Sequence, residues 1–126
     1  MKETKFYICE HCGNLVGQIH DSGVPMVCCG QKMTRIEAGV VEASREKHIP
    51  EVAVDGNLVK VSVGSVLHPM QEEHRILWVY LETDKGGQRK NLEVGKEPSV
   101  TFALADEKPV AVYAYCNLHG LWKTEL

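Results

Sequence analysis

The sequence predicts an all-β protein in two parts: a small metal-binding module at the N-terminus, then an antiparallel β-sandwich of immunoglobulin-like type. Three observations carry this. Four of the five cysteines fall within the first 29 residues, as Cys9-x-x-Cys12 and the adjacent pair Cys28-Cys29. From residue 51 onward, about seven short segments of period-two or continuous apolar character alternate with turn residues. No stretch repeats apolar residues at helical spacing for long enough to suggest a long helix.

The chain has 126 residues, enough for one ordinary domain or two small ones. Hydrophobic residues at 44% and charged residues at 25% match a soluble globular protein. A net charge of −3 gives no electrostatic footprint for nucleic acid. No run approaches the ~20 apolar residues of a membrane span. Phe6-Tyr7-Ile8 is too short for the core of an export signal. A cytoplasmic location is expected, with neither nucleic acid nor membrane as partner. Thiols stay reduced there, so the cysteines read as metal or catalysis before disulfide.

The first element is a metal knuckle. In Cys9-Glu10-His11-Cys12-Gly13-Asn14 a tight turn aims two sulfurs at one point, and Gly13 relieves the crowded backbone behind them. Cys28-Cys29-Gly30 supplies the second pair, giving a four-thiolate site from Cys9, Cys12, Cys28 and Cys29. Leu15 to His20 and Val24 to Val27 alternate loosely around Asp21-Ser22-Gly23, which predicts a hairpin between them. Adjacent side chains on extended backbone point to opposite faces, so two vicinal thiolates on one ion require a local kink. That kink should open the sulfur–metal–sulfur angle. Spacing leaves the metal undecided. A structural zinc ribbon is the commonest form of four thiolates, and a vicinal Cys28–Cys29 disulfide is the oxidised alternative. His11 and His20 read as surface histidines, because four sulfurs already fill the site. A unit of about 36 residues cannot bury enough apolar area to stand alone. It needs a metal, a partner or both, and a homodimer is expected.

Glu37 to Arg45 has small residues and no sustained period. We place the module at 1–36, a linker at 37–45 and the sandwich at 46–126. Glu51 to Val54 leads through Asp55-Gly56-Asn57, a hairpin signal, into Leu58 to Val63. Ile76 to Thr83 is a strand apolar on both faces, and Lys85-Gly86-Gly87-Gln88 is a turn. Arg89 to Val94, Ser99 to Leu104, Val110 to Cys116 and Leu121 to Glu125 complete the set. Trp78 and Trp122 are expected in the core or lining a site.

Four histidines sit at strand ends or loop junctions of this second part. His48 precedes the first strand, His68 and His74 bound one loop, and His119 follows Cys116 in Cys116-Asn117-Leu118-His119. Each alone is more often a surface or hydrogen-bonded histidine, and Cys116 alone a small hydrophobe. Taken together they suggest one mononuclear site. Zinc prefers four ligands, whereas four imidazoles and a thiolate make five. Five donors suggest a square pyramid with imidazoles in the plane, an axial thiolate and one open face. The thiolate favours a redox metal such as iron. Lys47 and Glu46 beside His48 are ordinary exposed loop residues unless that site is real. In that case Lys47 puts a cation near the open position.

These residues resemble the desulfoferrodoxin family, the two-iron form of superoxide reductase, over essentially the whole chain. Tyr7-Ile8-Cys9-Glu10-His11-Cys12-Gly13-Asn14 and Val27-Cys28-Cys29-Gly30 are similar to its desulforedoxin-like module. Glu46-Lys47-His48-Ile49-Pro50, Gly64 to Met70, Glu73-His74 and Tyr115 to Gly120 are similar to its catalytic domain. The resemblance implies two iron ions. One would be held by Cys9, Cys12, Cys28 and Cys29. The other would have His48, His68, His74 and His119 in the plane and Cys116 axial. It also implies that Lys47 assists the approach of superoxide and that Glu46 can occupy the sixth position of the oxidised iron. The implied reaction reduces superoxide to hydrogen peroxide without releasing oxygen, with a rubredoxin-type electron donor. Ala114 and Leu121 depart from the family's usual acidic residue and histidine, which touches only tuning around Cys116 and the polarity of the rim. The rival reading is a non-catalytic electron carrier or a zinc-stabilised binding module.

Overall fold

A computed structural model describes residues 4–126, which divide into two compact units meeting between Glu37 and Ala38. Apart from a single helical turn, the regular structure is all strand.

In the first unit, β1 (Lys5–Ile8) pairs antiparallel with β2 (Leu15–Gln18), and the cysteine knuckle is the connection between them. The hairpin expected between Leu15–His20 and Val24–Val27 does not form. Val27 instead belongs to β3 (Val27–Cys28), which pairs with β4 (Gln31–Lys32). β5 (Thr34–Ile36) returns to the free side of β1. The β-prone run Phe6-Tyr7-Ile8 wins the central place, because Phe6 is the apolar side chain that this unit buries. Among the described residues up to Glu37, only Phe6 and Cys9 are fully buried. There is almost no apolar core here.

The second unit opens with one helical turn, α1 (Arg45–His48), which the sequence did not announce. The sandwich follows in seven strands: β6 (Pro50–Asp55), β7 (Leu58–Val63), β8 (Ile76–Thr83), β9 (Gly86–Asn91), β10 (Ser99–Ala103), β11 (Pro109–Cys116) and β12 (Gly120–Glu125). They form two antiparallel sheets, ordered β10-β7-β6 and β12-β11-β8-β9. First, second and fifth strands on one sheet and the remainder on the other is the immunoglobulin-like arrangement anticipated from the strand count. Val59, Val61 and Val63 of β7 face Ile76, Val79 and Leu81 of β8, with Phe102 and Val112, in a core closed to water. Cys116 lies at the end of that layer, in step with Val112 and Ala114, and is fully buried. The strand's period of two thus delivers the sulfur to the inner face.

Gly86 and Gly87 lie in β9 rather than in a turn, and Asp84-Lys85 makes the connection. A Cβ on Gly87 would sit 2.0 Å from the Tyr80 hydroxyl, so the glycine serves a close cross-strand approach and not a reversal.

Candidate metal centres

At the N-terminal centre the knuckle is closed by Gly13 N–H donating to the Cys9 carbonyl and Cys9 N–H to the Asn14 carbonyl, each at 2.8 Å. Cys29 and Gly30 both have positive φ, 53° and 72°. They form the two-residue turn of the β3–β4 hairpin, of the primed type such hairpins favour. This is the kink that the vicinal pair required. It brings Cys12 and Cys28 sulfurs to 3.6 Å and Cys28 and Cys29 to 4.0 Å. A tetrahedron of metal–sulfur bonds near ~2.3 Å has sulfurs about 3.8 Å apart, so the spacing fits a metal and excludes a disulfide. The vicinal pair is the wider one.

Protonation makes the same point. Donation from the Cys12 backbone lowers the Cys9 thiol to about 6, whereas sharing a proton with Cys12 raises Cys29 to about 12. Four thiolates cannot coexist there unless a cation joins them. His11 and His20 are exposed and outside the cluster.

The second centre gathers His48, His68, His74, Cys116 and His119, whose donor atoms all lie within 4.8 Å of one another. The rings close a square. Successive pairs His48–His68, His68–His74, His74–His119 and His119–His48 have centroids 4.6, 4.6, 5.1 and 4.9 Å apart. Each neighbouring pair meets edge to face, at interplanar angles between 72° and 89°.

Backbone carbonyls decide which nitrogen points inward. His48 Nδ1 donates to the Ser44 carbonyl at 2.6 Å, one helical turn earlier, and His68 Nδ1 donates to the Pro69 carbonyl at 2.7 Å. Both Nε2 atoms are thereby left as lone pairs, and they face one another at 3.1 Å. Two lone pairs cannot hydrogen-bond each other, so a cation between them is the arrangement's natural completion. His48 Nε2 and His119 Nδ1 are also 3.1 Å apart. Nitrogens at right angles around bonds of ~2.1 Å would sit about 3.0 Å apart. His74 Nε2 is buried with no hydrogen-bond partner, as a ligand nitrogen would be. The Cys116 sulfur lies 3.4 Å from His68 Nε2 and 3.8 Å from His119 Nδ1.

Burial holds the His48, His68 and His74 imidazoles below their usual range, His68 to about 4, with neighbouring positive charge adding to the effect. They are neutral and ligand-competent at neutral pH. Burial raises the Cys116 thiol, while backbone N–H groups of Leu118 and His119 draw it back. His48, His68 and Cys116 are buried, whereas His74 and His119 are half-buried. The square is therefore embedded along one side and wetted along the His74–His119 edge.

Lys47 and Glu46 sit on the exposed side of α1. The Lys47 charge is among the groups that disfavour protonation of His48 and His74. Trp122 lines the site, as expected, and two further contributors, Gly64 and Asn117, escaped the sequence reading. Trp122 stacks on the His48 ring at 5.0 Å and donates from Nε1 to the His119 carbonyl. Gly64, at φ +88°, lets the following loop cross the Glu46–Lys47 backbone, where a Cβ would meet the Glu46 carbonyl oxygen at 2.7 Å. Asn117 ties two site loops together. A glycine at a strand end was the only advance sign of the first of these two. Ala114 is fully buried and Leu121 nearly so; neither is a ligand.

Comparison with known proteins agrees with this geometry. The family described as desulfoferrodoxin matches residues 40–125, and that described as desulfoferrodoxin, N-terminal domain, matches residues 1–36. A desulfoferrodoxin from Nitratidesulfovibrio vulgaris is 43% identical over 98% of this chain and 97% of its own length. The superoxide reductase from Treponema pallidum has a solved structure similar at a TM-score of 0.82 and 43% identity, covering 98% of this chain and 100% of that one. A one-iron superoxide reductase from Giardia intestinalis covers 64% of this chain and 99% of its own, at TM-score 0.53 and 34% identity. The chain belongs to the desulfoferrodoxin family.

Proposed function

We propose that this chain is a superoxide reductase with two iron ions, converting superoxide to hydrogen peroxide without evolving oxygen. The carrying observation is the closed square of four imidazoles beside a buried cysteine sulfur, open to water along one edge. Relatives of this chain with solved structures bear that activity in their names.

His48, His68, His74, His119 and Cys116 would hold an iron ion, which would supply the one electron that, with two protons, converts superoxide to hydrogen peroxide. The rest is the work of the chain. Ser44 and Pro69 carbonyls fix two imidazole tautomers so that lone pairs converge inward. The Cys116 thiolate, supported by the Leu118 and His119 amides, would donate electron density to the bound ion. Lys47 gives a local positive field on a net negative protein and draws the anion to the wet edge. We assign Glu46 the carboxylate that would cap the site in its oxidised state.

We assign residues 1–36 to the four-cysteine module, 37–45 to a linker and 46–126 to the catalytic sandwich. Electrons come from a rubredoxin-type carrier. A homodimer through the N-terminal modules is supported by their exposed apolar side chains Ile19, Val24 and Val27 and by their thin core. A cytoplasmic site is supported by five cysteines left as free thiols. Among the described residues, no helix is long and apolar enough to cross a membrane.

The test is anaerobic reconstitution with iron, followed by a superoxide-consumption assay that measures peroxide and oxygen. One peroxide per superoxide and no oxygen is expected. One peroxide per two superoxides with oxygen release would be dismutation and would sink the reading, as would stoichiometric zinc with no iron chromophore.

A further inference from the structure

His48 and His68 are each locked by a backbone carbonyl on Nδ1, and both are buried. His74 has neither safeguard. The buried Nε2 of its ring has no hydrogen-bond partner among the described residues, and the residue is only half-buried, on the wet edge of the square. Its backbone, however, is held at every polar group. His74 N–H donates to the Gln71 carbonyl and Gln71 N–H to the His74 carbonyl, at 3.2 and 3.0 Å. Three of the groups on either side go to Asn117. Asn117 Nδ2 donates to the Glu73 carbonyl at 2.9 Å, Arg75 N–H donates to Asn117 Oδ1 at 2.9 Å, and Asn117 N–H donates to the Arg75 carbonyl at 3.2 Å.

The amide side chain suits this double role, its NH2 donating to Glu73 while its oxygen accepts from Arg75. Asn117 itself lies on the four-residue turn from Cys116 to His119. The three bonds thus join the loop of one half-buried ligand to the turn carrying the other and the thiolate. The core fixes the buried side of the square; on the exposed side this clamp is the side-chain link between the His74 loop and the Cys116–His119 turn.

Resting on the metal-site reading above, we propose that Asn117 is the positioning residue for His74: by clamping Glu73 and Arg75 it sets the fourth corner of the imidazole square, and it acts on the metal through that histidine alone. Displacing one corner makes the two in-plane directions unequal.

The test uses the full chain loaded with iron at both sites, so that the four-cysteine iron is an internal reference. Two readouts are independent of turnover: the rate at which the His/Cys site gives up ferrous iron to a chelator, and the rhombicity of its oxidised electron paramagnetic resonance signal. Asn117→Ala should release iron about tenfold faster and raise the rhombicity, since two side-chain hydrogen bonds are lost. Asn117→Asp keeps the bond from Arg75 N–H and loses the one to Glu73, so its release should quicken only about threefold. Gln88→Ala removes two comparable side-chain bonds elsewhere in the sandwich, to the Ala103 carbonyl and the Glu107 carboxylate, and should change neither readout.

The decisive measurement adds Asn117→Ala to His74→Ala. Residues acting through one another are non-additive, so the second change should quicken release less than about twofold. If Asn117→Ala costs the same factor with His74 present or absent, it acts through the Cys116–His119 turn and the proposal is wrong. An unchanged rhombicity in Asn117→Ala overturns it even if His74→Ala holds too little iron to complete the cycle. A wild type that binds no metal at these five donors would instead overturn the site itself, and the clamp with it.

Discussion

The two metal centres are built by opposite strategies. All four donors of the first lie between residues 9 and 29, on two tight turns, with Cys12 and Cys29 exposed and little buried around them beyond Phe6 and Cys9. The five donors of the second run from residue 48 to residue 119, on α1, one long loop, the end of β11 and the β11–β12 connection. Behind them lies a core in which Val59, Val63, Ile76 and Phe102 have no exposure at all. In the first centre the metal takes the place of a core. In the second the core exists without the metal and holds neutral imidazoles ready for it. Local turns therefore make a site whose fold depends on its ion, and a sandwich makes one whose ion depends on its fold.

The sharpest way to break that contrast is to remove a ligand from the first site. Cys29→Ser should abolish its colour entirely. Metal binding supplies folding energy of about 10 kcal/mol or more in small thiolate domains, far beyond what Phe6 alone provides. Amides of residues 4–36 should then exchange freely, while the His/Cys site keeps its iron and the sandwich its melting transition. Loss of both irons together would show that the second centre is not independent.

A smaller but still large effect is expected from Gly64→Ala. The added Cβ would lie 2.3 Å from the Val66 carbonyl oxygen and 2.7 Å from that of Glu46, in a residue already at φ +88°. Both obstacles are backbone, so nothing flexible can yield. The sandwich should lose about 2–4 kcal/mol in denaturant unfolding, and iron should bind more weakly at the His/Cys site. The four-cysteine chromophore should not change. An unaltered unfolding midpoint would mean that this loop does not support Glu46 and Lys47 as described.

The difference between the centres also explains what could be read in advance. Cys9-x-x-Cys12 and Cys28-Cys29 announce their site because spacing on tight turns is the geometry itself, and even the kink at Cys29 follows from adjacency. The nine donor residues were all legible, and so was the seven-strand sandwich. The use of Nε2 by His48 and His68 was not, because Ser44 and Pro69 carbonyls choose it through the folded backbone. Trp122 against His48 and Asn117 against Glu73 and Arg75 are contacts between distant segments, to which no local pattern points. Where local pattern competed with burial it misled: Val24 to Val27 alternates like a strand, yet with Phe6 available β1 took the partner. Gly86-Gly87 looks like a turn, and its role is to make room for Tyr80.

The smallest expected effect concerns Lys47, an exposed residue whose work is done at a distance. If its charge draws superoxide to the wet edge, Lys47→Ala should slow the second-order reaction about tenfold, equivalent to ~1.4 kcal/mol of barrier. Iron content and both spectra should stay as they are, since the lysine is no ligand. The wild-type rate should fall as salt rises, because charges more than a Debye length of ~10 Å apart at 0.1 M are largely screened. The variant should depend less on salt, having lost part of the attractive field. Glu46→Ala is the control: a carboxylate that closes the site only after the electron has left should scarcely change the bimolecular step. Fold and metal are indifferent to Lys47 on this account, so the experiment isolates the field from the scaffold. If rate and salt slope both survive the loss of Lys47, the anion finds the open edge without help, and attraction at this centre comes from the metal alone.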